Sequence, residues 1–546
     1  MRTVWSKKAV CATLVAFAAL VWMPAAFADS AQYLGEDGQM YTQENAAPVQ
    51  QGDTIWGTAG GETWYVANGT VTIENRVKVT GDVHLILANS AALTVNGGIE
   101  VGEGNSFTVY AQSTEESEMG SLTATARKKG DGAGIGGNNA PLGEDSRYTG
   151  AGGTAGSITI HGGKVTATGA EGSAGIGGGA GGEAAQTGGT IKITGGVVNA
   201  TGGASAGYST YSGAGIGGGE LGTGGEVTIT GGKVTATGGN NVYGSAGIGG
   251  GSNGAGGSIK ISGGVVNATG SMTSIGPGAG IGGGTGTVAV YGGTVTATGG
   301  TAAESAYYGG AGIGTGGLQE SDIIELTVTL AGGQVTATGG AGTVACGAGI
   351  GIGGGNYGDV RFTLTISDGV VVATGGAGAE EGGAGTEKGG AGIGTGGENR
   401  AGSVNFTATL SGGQVTATGG TGTEAGGAGI GAGGTSTRCD ISVAAALSGG
   451  QVTAQGGSGT STGAGVDSSL IISPAAGWNI EAKAGENEAA AKALSGSPFA
   501  PGTQTDVTAQ VQDKAYFATK AQKLPDKEKT AQNTGDTQKQ NPKTGV

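Results

Sequence analysis

Few residues in this chain can do chemistry, and their spacing limits what they can do. The two histidines, His84 and His161, each fall in a stretch of alternating apolar residues and read as isolated, solvated strand residues. Cys346 and Cys439 are the only cysteines past the leader. No His, Cys, Asp or Glu group has metal-ligand spacing. No glycine run ends in GK[ST] or opens a helical pattern. Neither a metal nor any other cofactor is expected. Sugar-cleaving chemistry needs paired carboxylates, and often Arg or Lys, on one wall. The outward strand positions carry Thr, Asn, Gly and Ser, with scattered Lys192 and Lys260. The reading is therefore a non-enzyme with no acid/base pair. What remains is aromatic. Tyr208, Tyr211, Tyr243, Tyr307 and Tyr308 fall in loops between repeats. A loop tyrosine can stack on a sugar ring or anchor a protein contact. It can equally hold its own loop against apolar neighbours.

The elements that place these residues are repeats. GGKVTATG at Gly162–Gly169 recurs with small changes up to residue 460, and AGIGGG falls between copies, as at Ala174–Gly179 and Ala214–Gly219. Such self-similarity means a solenoid rather than separate globules. Glycine makes up 130 of 546 residues while aromatics are 5%. That is too little bulk for a wide core, but enough for a core one coil thick. Before glycine dominates, apolar alternation marks the period. Val71 to Leu93 and Val77 to Ile99 are both 22 residues. Period-two alternation means strands with one buried face. Three short strands per coil predict a right-handed parallel β-helix, all-β, with about twelve coils over residues 71–472. At ~4.8 Å per stacked strand the rod is roughly 55–60 Å long.

Three inward columns follow. Wall a holds Val165/Ala167 and Val198/Ala200, wall b Ala174/Ile176 and Ala214/Ile216, and wall c Ile158/Ile160 and Ile191/Ile193. From the last wall-c residue to the first of wall a is five residues, as Ile160 to Val165 and Leu410 to Val415. That corner is almost always Gly-Gly, which admits positive φ. The other corners vary, so coil spacing runs from 29 to 44 residues. Insertions therefore decorate two edges and leave the third smooth. Cys346 and Cys439 lie about two coils apart, beyond disulfide reach.

Residues 1–28 read as a secretory signal: Arg2, Lys7 and Lys8, then apolar Ala9–Met23, then Ala26-Phe27-Ala28 before Asp29. Losing those three cations takes the formal charge from −15 to −18. So acidic a surface argues against nucleic acid and anionic membranes. No later stretch is long and apolar enough to span a bilayer. Residues 29–70, with Trp56 and Trp64, are expected to cap the first coil. Residues 473–520, with Trp478 and Phe517, are expected to cap the last, and 521–546 read as a polar linker.

The tail motif NPKTG, Asn541–Gly545, resembles the sortase signal of Gram-positive surface proteins. The resemblance implies cleavage between Thr544 and Gly545 and transfer of the Thr544 carbonyl to the cell wall, with sortase and the wall as partners. That signal continues into an apolar helix and a basic tail, so the native gene is expected to run past Val546. The block GGxVTATGG with AGIGGG, over roughly residues 120–470, resembles the glycine-rich repeat surface proteins of Gram-positive bacteria, with a pectin-lyase-like β-helix. It implies export, an extracellular and wall-attached place, and an adhesin or carbohydrate-binding rod whose partner is a glycan or a host or cell-surface polymer. Two alternatives stand beside it. β-Helices also host polysaccharide lyases and hydrolases, here with a loop-borne site. The outward T-x-T pairs, such as Thr166/Thr168 and Thr235/Thr237, resemble the ice-binding face of some β-helical antifreeze proteins.

Overall fold

A computed structural model describes residues 29–525, apart from 129, 144–147, 182–185, 205–210, 274, 302–306, 317, 320–322, 357, 379–387, 399–401 and 435–439. The architecture is the expected parallel β-helix. Strands of successive coils pair in parallel, residue on residue. On wall a, Lys164–Thr168 pairs with Val197–Thr201 so that Val165 sits on Val198 and Ala167 on Ala200. The same file runs from Val71 through Val234 to Val452, twelve residues deep. On wall c the file runs from Val83 through Phe107 and Ile158 to Leu470. The inward members are buried in one continuous core. Each buried Val, Leu or Ile contributes about 1.5–3 kcal/mol over leaving it in water. Val and Thr suit these positions because β-branched side chains pack well on a pleated, half-buried surface. Within the core, Phe362 stacks on Phe406 with centroids 5.0 Å apart.

Wall b is narrower than period-two alternation suggested. Its strands are two residues long, Ile176–Gly177 on Ile216–Gly217 and onward. The isoleucine points in and the glycine turns the chain. This accounts for AGIGGG: a single inward isoleucine per coil, followed by residues for which the crowded corner leaves no side-chain volume.

The smooth corner behaves as its glycines imply. Gly163 has φ +87° and Gly196 has φ +77°. The two sites differ in what a side chain would meet. At Gly196 a Cβ would lie 2.5 Å from the Gly163 carbonyl oxygen, which is backbone and cannot yield. At Gly163 it would lie 2.6 Å from Leu87 Cδ1, a side-chain end that can move. Gly163→Val should therefore cost about 1 kcal/mol or more from strain alone, and Gly196→Val clearly more. Thermal melts check this. Equal, unchanged melting temperatures in both would mean that these glycines are merely small.

The ends are closed, though not by all the expected residues. Trp56 is fully buried; its ring lies 6.0 Å from Phe107, and its indole N–H donates to Asp53 Oδ2 at 3.0 Å. Trp64 sits one pleat out of phase with inward Tyr65 and faces outward on wall c, so it does not cover the first coil. At the other end Phe517 is buried and pairs antiparallel over Ala454, blocking the open edge. Trp478 opens the strand Trp478–Gly485, whose inward residues are Ile480, Ala482 and Ala484, and it is left 38% exposed. The closing strand Tyr516–Lys523 reaches three residues into the expected linker, held by pairing along Trp478–Gly485. No helix among the described residues is long and apolar enough to cross a membrane.

Candidate functional site

The insertions between walls a and b carry the tyrosines. Tyr208 lies outside the described residues, as do Cys439, Thr544 and Gly545. Tyr211 and Tyr243, one coil apart, stack with centroids 5.3 Å apart and planes 20° from parallel. Both are half-buried, and Asn241 Nδ2 donates to the Tyr211 carbonyl at 2.9 Å, tying the two loops together. Tyr307 and Tyr308 diverge. Tyr307 is 52% exposed, whereas Tyr308 is buried against Ala345 and Tyr243. Tyr307 thus presents a ring to solvent, while Tyr308 anchors its loop. Cys346 is buried nearby.

A second cluster, on wall c at the N-terminal end, was not anticipated. His84 and His161 are not isolated. Trp64 stacks on His84 at 4.2 Å and 11°, and on Tyr110 at 5.4 Å; Tyr110 lies 5.0 Å from His161. The Tyr110 hydroxyl and His84 Nδ1 are 3.3 Å apart. His84 Nε2 lies 3.4 Å from Asp82 and 3.8 Å from Glu62. Ser106 donates to Asp82, and the Trp64 indole N–H donates to Glu62 Oε1 at 2.7 Å. The hairpin of Asp29–Leu34 and Met40–Pro48 lies across this patch. Its Tyr33 packs on Trp64 and Tyr110 at 5.0 and 4.7 Å, and its Glu36 pairs with Lys192 at 2.7 Å. The sequence did hold a signal: Trp64 and His84 are 20 residues apart, close to one coil, so they had to stack. Alternation assigned both to the outer face, but without the hairpin nothing said that this face was covered.

Burial and neighbouring charge shift several groups of the patch, not all in one direction. Burial first, then the charges of Asp82, Glu62 and Glu36 with the neighbouring Tyr33, push the Tyr110 phenol up to about 12. It is a hydrogen-bond donor at neutral pH, not a base. Burial also holds His161 below the usual imidazole range, partly offset by Glu36. The hydrogen bond from Lys192 holds the Glu36 carboxyl below the usual range. Beside the patch a groove of ≈970 Å³ runs along the wall b-to-c corner, with Glu62, Asp82, Glu103 and Glu226 on its banks. Among the described residues no group of His, Cys, Asp and Glu is arranged to hold a metal ion.

Wall a carries two outward files. One is all threonine from Thr168 through Thr201, Thr237, Thr269, Thr298, Thr338 and Thr374 to Thr418. The other alternates, with Asn199, Asn267 and Val372 interrupting Thr166, Thr235, Thr296, Thr336 and Thr416. The second file is therefore less regular than the first.

A family model described as a β-helix repeat matches the chain at residues 158–180, 227–252 and 259–285. Each match spans strand c, the Gly-Gly corner, strand a and the AGIGGG turn. No curated protein and no solved structure matches the chain. Geometry and matched segments agree: this is a β-helical repeat protein.

Proposed function

We propose that the chain is a secreted, cell-surface repeat protein: a non-enzymatic rod that binds a glycan or a host or cell-surface polymer through its decorated edges. The observation that carries this reading is register. Wall-a strands of successive coils stack in register, and described residues of the a-to-b insertions pair from coil to coil, Tyr308 with Ala345, Ala345 with Lys388 and Lys388 with Ala425, so these parts of the edge repeat along the rod. Rows of weak contacts suit a polymer better than a small ligand, because linked contacts gain avidity. The acidic surface and the tail resemblance fit an exported protein linked to the wall at Thr544. Replacing Tyr208, Tyr211, Tyr243 and Tyr307 by Ala, while sparing the buried Tyr308, should lower retention on a glycan or host-surface matrix at least tenfold without lowering β-sheet signal. Unchanged retention would remove the tyrosine edge from the account.

The wall-c cluster favours a second reading, a polysaccharide-active enzyme. It places an imidazole between two carboxylates beside an acidic groove, which is acid/base equipment that isolated histidines would lack. On that reading purified protein releases new reducing ends from a polysaccharide, and His84→Ala stops it.

A further inference from the structure

The exposed tryptophan at the C-terminal end has a setting that its expected capping role does not explain. Trp478 stands at the mouth of a groove of ≈450 Å³ cut along the smooth corner of the last coils. The corner carries no side chains at Gly412–Gly413 and Gly449–Gly450, which leaves a trough between two banks. One bank is a file of serines, including Ser411 and Ser448. The other is Gln414 in register with Gln451. Asp368 adds a carboxylate, already tied through Oδ1 to its neighbouring amide, Gly369 N–H, at 2.7 Å. Among the described residues the Trp478 ring has no aromatic or cationic partner, and its indole N–H has no acceptor. The side-chain amides of Gln414 and Gln451 likewise hydrogen-bond to nothing there.

We propose that this groove is a binding site for a neutral, β-linked pyranose glycan, one sugar face stacking on Trp478 and its hydroxyls bonding the serine and glutamine banks. The proposal rests on the polymer-binding reading above and gives it a second, separate site with a defined ligand class. The chemistry of the banks selects the ligand. A β-linked pyranose with equatorial hydroxyls offers an apolar C–H face to an indole and a rim of donors and acceptors to amides and hydroxyls. Asp368 is the charged residue in the groove's lining and disfavours an anionic polymer there, although Lys520 and Lys523 lie opposite Gln451 and Trp478 on the closing strand, so an anionic comparison is a needed arm of the test. Stacked coils repeat the Ser and Gln pair every ~4.8 Å, close to the length of one sugar unit, so adjacent sugars meet equivalent partners. The residues that follow the last strand leave beside the same tryptophan, where Leu524 N–H donates to the Gly477 carbonyl at 2.8 Å.

The test is calorimetric titration of the full chain with cellohexaose and laminarihexaose, with a polygalacturonate oligomer of similar length as the anionic comparison. The expected result is binding of at least one neutral hexamer and little of the anion. Trp478→Ala should weaken it at least tenfold, and Trp478→Phe, which keeps a platform, should retain most of it. Gln414→Ala with Gln451→Ala should weaken it several-fold. The tyrosine-edge variant should bind the hexamers as wild type does. That separates the two claims: loss of polymer retention with intact hexamer binding counts against neither, whereas Trp478→Ala binding equal to wild type overturns this site and leaves the rod reading standing. Preference for the anionic oligomer overturns it too. So does a rise above tenfold in hexamer affinity when residues 526–546 are deleted, since the groove would then be the tail's own seat.

Discussion

Replacing Gly177 with Ala or Val should destabilise the chain by about 3 kcal/mol or more, a loss shared by the equivalent glycines of the other coils, such as Gly136 and Gly314. Gly177 has φ +136°, outside the range that a side chain tolerates. It forms, with Ile176, a strand only two residues long, so no neighbouring pair shares the distortion. A Cβ there would collide with the Gly217 carbonyl of the next coil, which is itself held in the ladder by the Gly178 N–H at 2.9 Å. Neither partner can step aside without breaking the stack. In a solenoid each coil leans only on its neighbours, so the damage should also split unfolding into two transitions, one on either side of the defect. Denaturant unfolding of the full chain, followed by far-ultraviolet circular dichroism, checks both points. Thr168→Ala, an outward change on wall a of the same coil, should stay within about 0.5 kcal/mol of wild type. A Gly177 variant with the wild-type midpoint would show that the two-residue wall does not hold the coils in register.

The second large effect concerns attachment. Expressed from the native gene in its own cell, the protein should be found covalently in the wall fraction, and Thr544→Ala should move essentially all of it to the medium. In the signal that NPKTG resembles, the enzyme thiolate attacks the threonine carbonyl and expels the glycine amine, leaving the protein as a thioester, and a wall amine then attacks that thioester and displaces the thiolate. Altering the recognised threonine stops the first step, so nothing downstream can compensate. Among the described residues the closing strand ends at Lys523, and a thermal melt of the variant alongside wild type separates an attachment defect from a folding one. Quantifying the protein in lysozyme-released wall and in culture supernatant measures the shift. Equal wall retention of the variant would mean that NPKTG is a chance match.

Which parts of this were legible in the sequence follows from what repeats and what does not. Val165, Val198 and Val234 were placed in one stack from spacing alone, because a parallel β-helix turns period into position. The five-residue corner was read for the same reason. Wall b was only half legible. Its inward isoleucines were found, but a strand of two residues has too little alternation to reveal its length. The ends were legible only in part, since they do not repeat. Trp56 and Phe517 are buried at the two ends, while Trp64 sits one pleat out of phase with Tyr65 under the hairpin, and Trp478, in phase with inward Ile480, is left partly exposed at the start of its strand. The wall-c cluster escaped because it depends on Asp29–Pro48 folding back over His84 and Lys192, a contact between segments about 150 residues apart with no periodic trace. The tyrosine edge was legible as residues but not as orientations. Tyr307 and Tyr308 are adjacent in sequence and opposite in exposure, which loop geometry alone decides.

The most direct measurement of the central claim is to incubate the full chain with immobilised and soluble polysaccharides, then to determine both what is retained and the chain length of the polymer afterwards. Retention on at least one glycan is expected, weakened in the tyrosine-edge variant, with the polymer's length distribution unchanged after prolonged incubation. Shortened chains with new reducing ends, abolished by His84→Ala, would contradict it and would make the wall-c cluster an active site.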